Sequence, residues 1–200
     1  LSKKVLHRRR KKMAEKNIDR RVRVTKMILR DSLIDLMKEK PLHEISIKAI
    51  CEKADINRST FYHHYGSQYD LFDDIVKELS ISIWRIINVS KLRKDKFITM
   101  ITDILTYCEN NRELFIVLLG ANGNFNIGET LAKEIDRFLD RSSTNDIYAY
   151  CTQFFSAGIT SVLWTWLNKE KRESARDIAL MLNAIIMYGI KRAMVLSGNG

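Results

Sequence analysis

The chain has 200 residues, 46% of them apolar, with one proline and eight glycines; this supports one or two packed cores and favours helices over a β-sandwich or barrel. No run approaches the roughly eighteen uninterrupted apolar residues of a membrane-crossing helix, and the basic N-terminus lacks the apolar centre of a signal peptide. The formal charge of +10 points toward a polyanionic partner.

That charge is unevenly placed. Residues 1–16 hold eight cations and one anion, residues 17–66 hold ten and seven, and residues 67–200 hold sixteen of each. All of the excess lies in the first third, as expected of a phosphate-facing module joined to a neutral second domain. Residues 1–19 read as a basic tail, solvated or following a DNA backbone as a disordered arm.

Val22–Lys40 is the first predicted helix, with Val24, Met27, Ile28, Leu33, Leu36 and Met37 as its apolar stripe. Pro41 ends it, and Leu42 and Ile45 pack the following loop. Ser46 is a good N-cap for a helix to about Ala54, with Ile47, Ile50 and Ala54 inward. Asp55-Ile56-Asn57 is a turn, and Asn57 is placed to cap a second helix from about Arg58 to His64 or Tyr65. Phe61 and Tyr65 point one way, leaving Arg58, Ser59, Thr60, Tyr62 and His63 as an outward set of donors. Two short helices so joined make a helix-turn-helix, which puts its second helix in the major groove.

The run Asn57-Arg58-Ser59-Thr60-Phe61-Tyr62-His63-His64-Tyr65, followed by Gly66-Ser67-Gln68-Tyr69-Asp70-Leu71-Phe72, resembles the TetR-type transcriptional regulators over residues 20–80. The family ends its helix-turn-helix in a run like S-x-x-x-[FY]-Y-x-[HY]-[FY]. It usually has lysine where Gln68 stands, so a phosphate contact at Gln68 would be a neutral hydrogen bond. The resemblance implies an all-α chain: a three-helix DNA-binding domain, a connector helix, and a helical domain over 81–200 for effector binding and dimerisation.

Arg58, Ser59, Thr60, Tyr62 and His63 are the candidate base or backbone contacts. Ser46, Lys48, Asn57, His64 and Gln68 are the candidate phosphate contacts. Arg58, the sole guanidinium on that helix, is the expected guanine reader.

Gly66 suits a left-handed helix end, and Ser67 with Asp70 forms a capping pattern. Leu71, Phe72, Ile75, Val76, Leu79, Ile83, Ile86 and Ile87 then line a helix to about Asn88, about 30 Å long. A basic hinge at Lys91–Lys96 precedes apolar-periodic runs at Phe97–Cys108 and Leu114–Leu119. Gly120–Gly128 is loose, Ile127–Leu139 is a short helix, and Arg141–Asp146 is a loop.

Ile147–Leu167 and Ala175–Leu196 are the last two helices. The first is apolar nearly all round, so it is expected to be buried on more than one side. Gly158 within it suggests close helix approach. Two such helices per subunit point to a homodimer joined as a four-helix bundle, with Phe154, Gly158, Val162, Trp166, Leu182, Ile186 and Ile190 as candidate interface residues. Such a dimer places two recognition helices about 34–36 Å apart or somewhat more, reading a palindromic operator.

The family resemblance implies a small apolar or amphipathic effector. Candidate lining residues are Trp84, Met100, Ile104, Cys108, Phe115, Phe125, Phe155 and Trp164, each of which could equally be core. Cys51, Cys108 and Cys151 are odd in number and widely spaced, which fits free thiols in a reducing cytoplasm. No histidine–cysteine set has ligand spacing, and no cofactor is expected.

Three functions compete on the sequence. The first is a ligand-responsive DNA-binding regulator, most simply a repressor. The second has the same DNA-binding half governed by a protein partner, as in regulators of dihydroxyacetone kinase operons. The third, a helical enzyme, lacks a nucleophile–base pair, usefully spaced carboxylates or a phosphate-binding glycine loop.

Overall fold

The computed structural model describes the backbone of residues 3–90, 96–120 and 146–196, and side chains over 20–89, 97–120, 150 and 153–189. Every regular element among the described residues is helical. The chain forms two compact units, Leu1–Glu78 and Leu79–Gly200.

The first unit holds α1 (Lys3–Met37), a 3-10 turn at Leu42–Glu44, α2 (Ile47–Ala54), α3 (Arg58–His64) and the first half of α4 (Gln68–Ser90). Helix α1 starts at Lys3 rather than Val22, so the segment read as a tail has helical backbone continuous with the packed helix. It also stops at Met37, and the Lys38, Glu39 and Lys40 amides turn back onto the Asp35 and Leu36 carbonyls before Pro41. The residue preceding a proline disfavours helical backbone.

The inward face of α1 differs from the expected one. Leu29, Leu33, Ile34 and Met37 are buried, whereas Val24, Met27 and Ile28 are exposed. Lys26 sits on the packed side, three residues before Leu29 and paired to Asp74. Spacings of three and four from it through Leu29, Leu33 and Met37 set a register that turns Val24, Met27 and Ile28 outward.

Ser46 caps α2 as its sequence requires, its Oγ accepting from the Ala49 amide at 3.1 Å. The helix ends on Asp55, which has left-handed backbone (φ 51°, ψ 45°) and whose amide donates to the Cys51 and Glu52 carbonyls. Asn57 stands at the N-cap of α3 but its side chain makes no capping bond. The Thr60 and Phe61 amides bond to its backbone carbonyl instead.

Gly66 corrects another expectation. Its backbone is not left-handed; a Cβ there would lie 2.9 Å from Asp70 Oδ2. That carboxylate accepts from the Gly66 and Ser67 amides at 2.9 and 3.0 Å, and Ser67 Oγ accepts from the Asp70 amide. The capping box anticipated at Ser67 and Asp70 therefore opens α4, and glycine is present because the carboxylate approaches its backbone closely.

The second unit contains the rest of α4, then α5 (Lys96–Asn110), α6 (Arg112–Leu119), α7 (Asp146–Asn168) and α8 (Ala175–Leu196). Helix α5 packs along α8 and α6 along α7. Leu79, Ile83, Ile87, Met100, Ile104, Cys108, Phe115, Leu163, Trp166, Leu167, Leu182 and Ile186 supply its core. Two side chains tie the turns: Trp166 Nε1 donates to the Glu173 carbonyl at 2.9 Å, and Arg112 Nε donates to the Leu167 carbonyl at 2.6 Å. The stretch 91–95, the helix expected at Ile127–Leu139, and most of the segments Gly120–Gly128 and Arg141–Asp146 lie outside the described residues.

Helix α7 is buried within the subunit on one side only, through Ser156, Ile159, Leu163, Trp166 and Leu167; Tyr150, Phe154 and Trp164 are exposed. No atom of the described residues comes within 4 Å of a Cβ at Gly158, so the close approach expected there is absent among them. It occurs instead at Gly189, where a Cβ would meet the Phe155 ring at 3.0 Å.

Candidate nucleic-acid interface

The recognition helix works by division of its faces. Phe61 is fully buried and Tyr65 nearly so, with ring centroids 5.9 Å apart, and together they fasten α3 to its unit. With those two side chains inward, Arg58, Ser59, Tyr62 and His63 are exposed, while Thr60 and His64 are half-buried. Tyr62 keeps 57% of its surface, so it is not packed away onto another helix. Its ring lies edge-on to Phe61, which limits its rotation and holds the hydroxyl outward.

The neighbouring elements add donors. Lys48, Asn57 and Arg58 line one open groove of about 360 Å³ together with Cys51, Glu52, Asp55 and Ile56. Lys48 is exposed but ion-paired to Glu52 at 3.7 Å, a surface pair that a phosphate could replace at little cost. Ser46 is exposed with its hydroxyl engaged in the cap. Gln68 is half-buried at the start of α4, and the next residue, Tyr69, is 48% exposed. Tyr69 was not among the sequence candidates; an aromatic donor in the first turn of a helix, one residue after Gln68, was the signal available.

A buried-to-surface network holds this face in register. Asp74 Oδ2 accepts from Tyr65 Oη at 2.8 Å and from Lys26 Nζ at 2.9 Å, joining α1, the end of α3 and α4. Lys26 Nζ also stands 5.1 Å from the Tyr65 ring centroid, and Arg30 pairs with Glu78 at 3.2 Å. Burial pushes the Asp74 carboxyl up, but hydrogen bonds from Lys26 and Tyr65 outweigh it and hold the group below the usual carboxylate range. Burial, followed by the Asp74 hydrogen bond, raises the Tyr65 phenol, so it remains a donor. Burial, then the charges of His63 and Lys26, lowers His64 below the ordinary histidine value. Lys26 is thus committed within this network.

The other sequence candidates divide. Met100, Ile104 and Cys108 line an apolar cavity of about 40 Å³ with Ile87, Ile159, Leu163 and neighbours. Phe115 is core elsewhere, its ring edge-on to Tyr107. Trp84 and Phe155 are half-buried and do not line the cavity; Trp164 is exposed on an open groove with Leu119 and Gln153. Phe125 and the side chain of Ile190 lie outside the described residues. Of the interface candidates, Phe154 and Gly158 are exposed and Val162 half-buried. Trp166, Leu182 and Ile186 are instead buried within the subunit: Leu182 and Ile186 line the cavity beside α5, and the Trp166 indole is bonded to the Glu173 carbonyl. The exposed apolar side of α8 is Leu180, Met181, Ile185 and Tyr188.

Described residues that are helical in every regular element, with a capped helix-turn-helix and an outward row of donors on its second helix, make a helix-turn-helix DNA-binding regulator. Bacterial regulatory proteins of the tetR family match residues 29–75, and a transcriptional regulator C-terminal region matches residues 95–188. The chain belongs to the TetR family of bacterial transcriptional regulators.

A Bacillus subtilis (strain 168) protein named uncharacterized HTH-type transcriptional regulator YxbF is 21% identical over 162 residues, 76% of this chain; the chain spans 42% of that relative's length. A TetR transcriptional regulator from Streptococcus agalactiae 2603V shares the fold with a TM-score of 0.64 at 20% identity, covering 86% of this chain and 98% of the other. The regulator FadR from Bacillus subtilis, solved with stearoyl-CoA, gives 0.57 at 17% identity over 80% and 96% of the two chains. The dihydroxyacetone kinase operon activator DhaS gives 0.52 at 20% identity over 84% and 97%. No helix among the described residues is long and apolar enough to cross a membrane, and no cluster of three or more His, Cys, Asp or Glu among them could hold a metal ion.

Proposed function

We propose that the protein is a homodimeric, sequence-specific regulator of transcription that reads a palindromic operator through α3, most simply as a repressor. The observation that carries this is the exposed row Arg58, Ser59, Tyr62 and His63 above a buried Phe61. Arg58 pairs with a guanine edge, and Tyr62 and His63 contact bases or backbone. Ser46, Lys48, Asn57, Thr60, His64 and Gln68 fix the register through phosphates and sugars. The buried, unpaired thiols of Cys51 and Cys108 favour a reducing cytoplasm as its compartment.

The exposed apolar sides of α7 and α8 support a dimer. Tyr150, Phe154, Leu180, Met181, Ile185 and Tyr188 leave large apolar side chains exposed on these two helices, as interaction surfaces do, and the exposed Gly158 leaves room for a partner helix. The interface accordingly centres on Phe154, Gly158 and these α8 residues, not on Trp166, Leu182 and Ile186.

A small apolar or amphipathic effector would enter at the α5–α8 cavity. Its lining is wholly apolar apart from the Cys108 thiol, but about 40 Å³ is well below the ~300–1,000 Å³ of an ordinary ligand site. An effector would have to widen it. That small size favours a second reading, in which a protein partner governs the same DNA-binding half.

The test is a gel shift on DNA from the gene's own upstream region with excess nonspecific competitor. A discrete complex that survives competitor, and that Tyr62→Ala with His63→Ala abolishes without changing the melting transition, is expected. Binding that competitor removes entirely would sink the sequence-specific reading.

A further inference from the structure

The groove that Lys48, Asn57 and Arg58 share carries charges of both signs. Glu52 and Asp55 line it beside Lys48 and Arg58, so its formal charges cancel. A groove that served phosphates alone would gain from each cation and lose from each acid, because phosphate oxygens are negatively charged acceptors. Base edges are different, since they present donors as well as acceptors. The groove also opens beside Arg58, the first residue of α3, and the N-terminal residues of a recognition helix are the ones that reach base edges.

Glu52 is the acid with the longer reach. It stands one turn from Lys48 along α2, and its side chain keeps 66% of its surface. The two charges are 3.7 Å apart, too far for a hydrogen bond, so neither carboxylate oxygen is committed to Lys48. Once a phosphate draws Lys48 away, Glu52 is left as an unpaired anion against DNA. An ionised carboxylate can only accept, and the major groove offers it two donors, the exocyclic amines of cytosine and adenine. Adenine sets its N7 acceptor beside that amine, where it repels a carboxylate. Cytosine has no such acceptor on its own edge.

We infer that Glu52 is a specificity-determining residue, which accepts a hydrogen bond from a cytosine N4 amine in each half-site and repels sequences that lack one. The inference rests on the DNA-binding reading of α3. Repulsion counts here as much as attraction, since a competing sequence is rejected when it leaves a charge unpaired against it. Arg58 on guanine and Glu52 on cytosine give one groove two readers of opposite sign.

The test uses the full chain and its Glu52→Gln, Glu52→Ala and Asp55→Asn variants on operators in which each base pair of a half-site is replaced in turn. Nonspecific duplex is titrated beside them at the same salt concentration. Glu52 is exposed on α2, so its variants are expected to keep the native melting transition. The native chain should lose about tenfold or more in affinity when one particular cytosine is replaced. Glu52→Ala should erase that preference and bind nonspecific duplex more tightly than the native chain. Glu52→Gln should move the preference to adenine, because an amide pairs with N6 and N7 together. An unchanged base-preference profile in both Glu52 variants, or a profile altered by Asp55→Asn instead, would overturn the inference while the α3 reading stood. An equal gain on operator and nonspecific duplex would also overturn it, leaving Glu52 as a plain repelling charge. If the native chain formed no discrete operator complex, the α3 reading would fail and this inference with it.

Discussion

Tyr65 and Asp74 are joined at 2.8 Å across the junction between the end of the recognition helix and α4. The same carboxylate oxygen receives Lys26 from α1, so one acid sets the position of α3 against two other helices. Tyr65→Phe is expected to lower unfolding stability by about 1 kcal/mol, the usual net worth of one hydrogen bond. Asp74→Ala should cost more, since it leaves Tyr65 and Lys26 without their acceptor. Urea unfolding of single and double variants checks this. A double variant equal to the sum of the singles would show that the pair is not coupled.

The pH dependence follows from the same group. Asp74 titrates below the carboxylate reference of 3.8 in the folded chain, so between the two values the unfolded chain binds the extra proton. Its contribution is fully present above the unfolded value and is lost as pH falls through the folded one. Asp74→Asn should therefore flatten the acid limb of the native stability curve, and an identical acid limb in both proteins would count against the network.

Arg58 is exposed and lines the groove with Lys48 and Asn57. Arg58→Ala should cost about 1–3 kcal/mol at the operator if it pairs with guanine, with a much smaller loss on nonspecific DNA. Equal losses on both would make Arg58 a phosphate contact instead. A competition titration with both DNAs separates the two outcomes.

Phe154 and Trp166 make a contrasting pair on one helix, 72% and 2% exposed. Phe154→Glu is expected to shift the mass seen by sedimentation or light scattering from dimer to monomer, with the subunit still folded. Trp166→Phe should instead cost about 0.5–1.5 kcal/mol by removing the indole hydrogen bond to the Glu173 carbonyl, and leave association unchanged. A dimer indifferent to Phe154→Glu would move the interface off this face.

Asp55 holds left-handed backbone at φ 51°, a conformation that short polar side chains tolerate and β-branched ones do not. Asp55→Val should destabilise the chain by about 1–2 kcal/mol, read as a lower midpoint in thermal unfolding. Asp55→Gly should leave that midpoint unchanged or raise it.

Much of this was readable in the chain, for local reasons. The Ser46 cap, the Phe61 and Tyr65 anchors and the Ala175–Leu196 helix all depend on contacts a few residues apart. Long-range packing was not legible in the same way. Val24, Met27 and Ile28 have helical spacing as good as that of Leu29, Leu33 and Met37, and only the Lys26–Asp74 pairing shows which face turns inward. The all-round apolar character of α7 led to an expectation of burial on more than one side, whereas within the subunit one side is buried, and periodicity could not tell that Trp166 lies inside and Phe154 outside. The capping bond expected of Asn57 is absent for another reason, since the Thr60 amide that a capping side chain would take bonds to the Asn57 backbone carbonyl.

The notch at Gly66 has a consequence for which sequences this turn can tolerate. Because Asp70 fills the space a side chain would take, the position selects on size and not on handedness. Asparagine, the ordinary substitute for glycine where backbone turns left-handed, gains nothing there. Any Cβ pushes away the carboxylate that accepts the Gly66 and Ser67 amides, and the start of α4 frays. A mutational scan of the turn should thus find Gly66 and Asp70 failing together, as one unit of two residues, while the exposed Tyr69 between them stays free to vary for DNA.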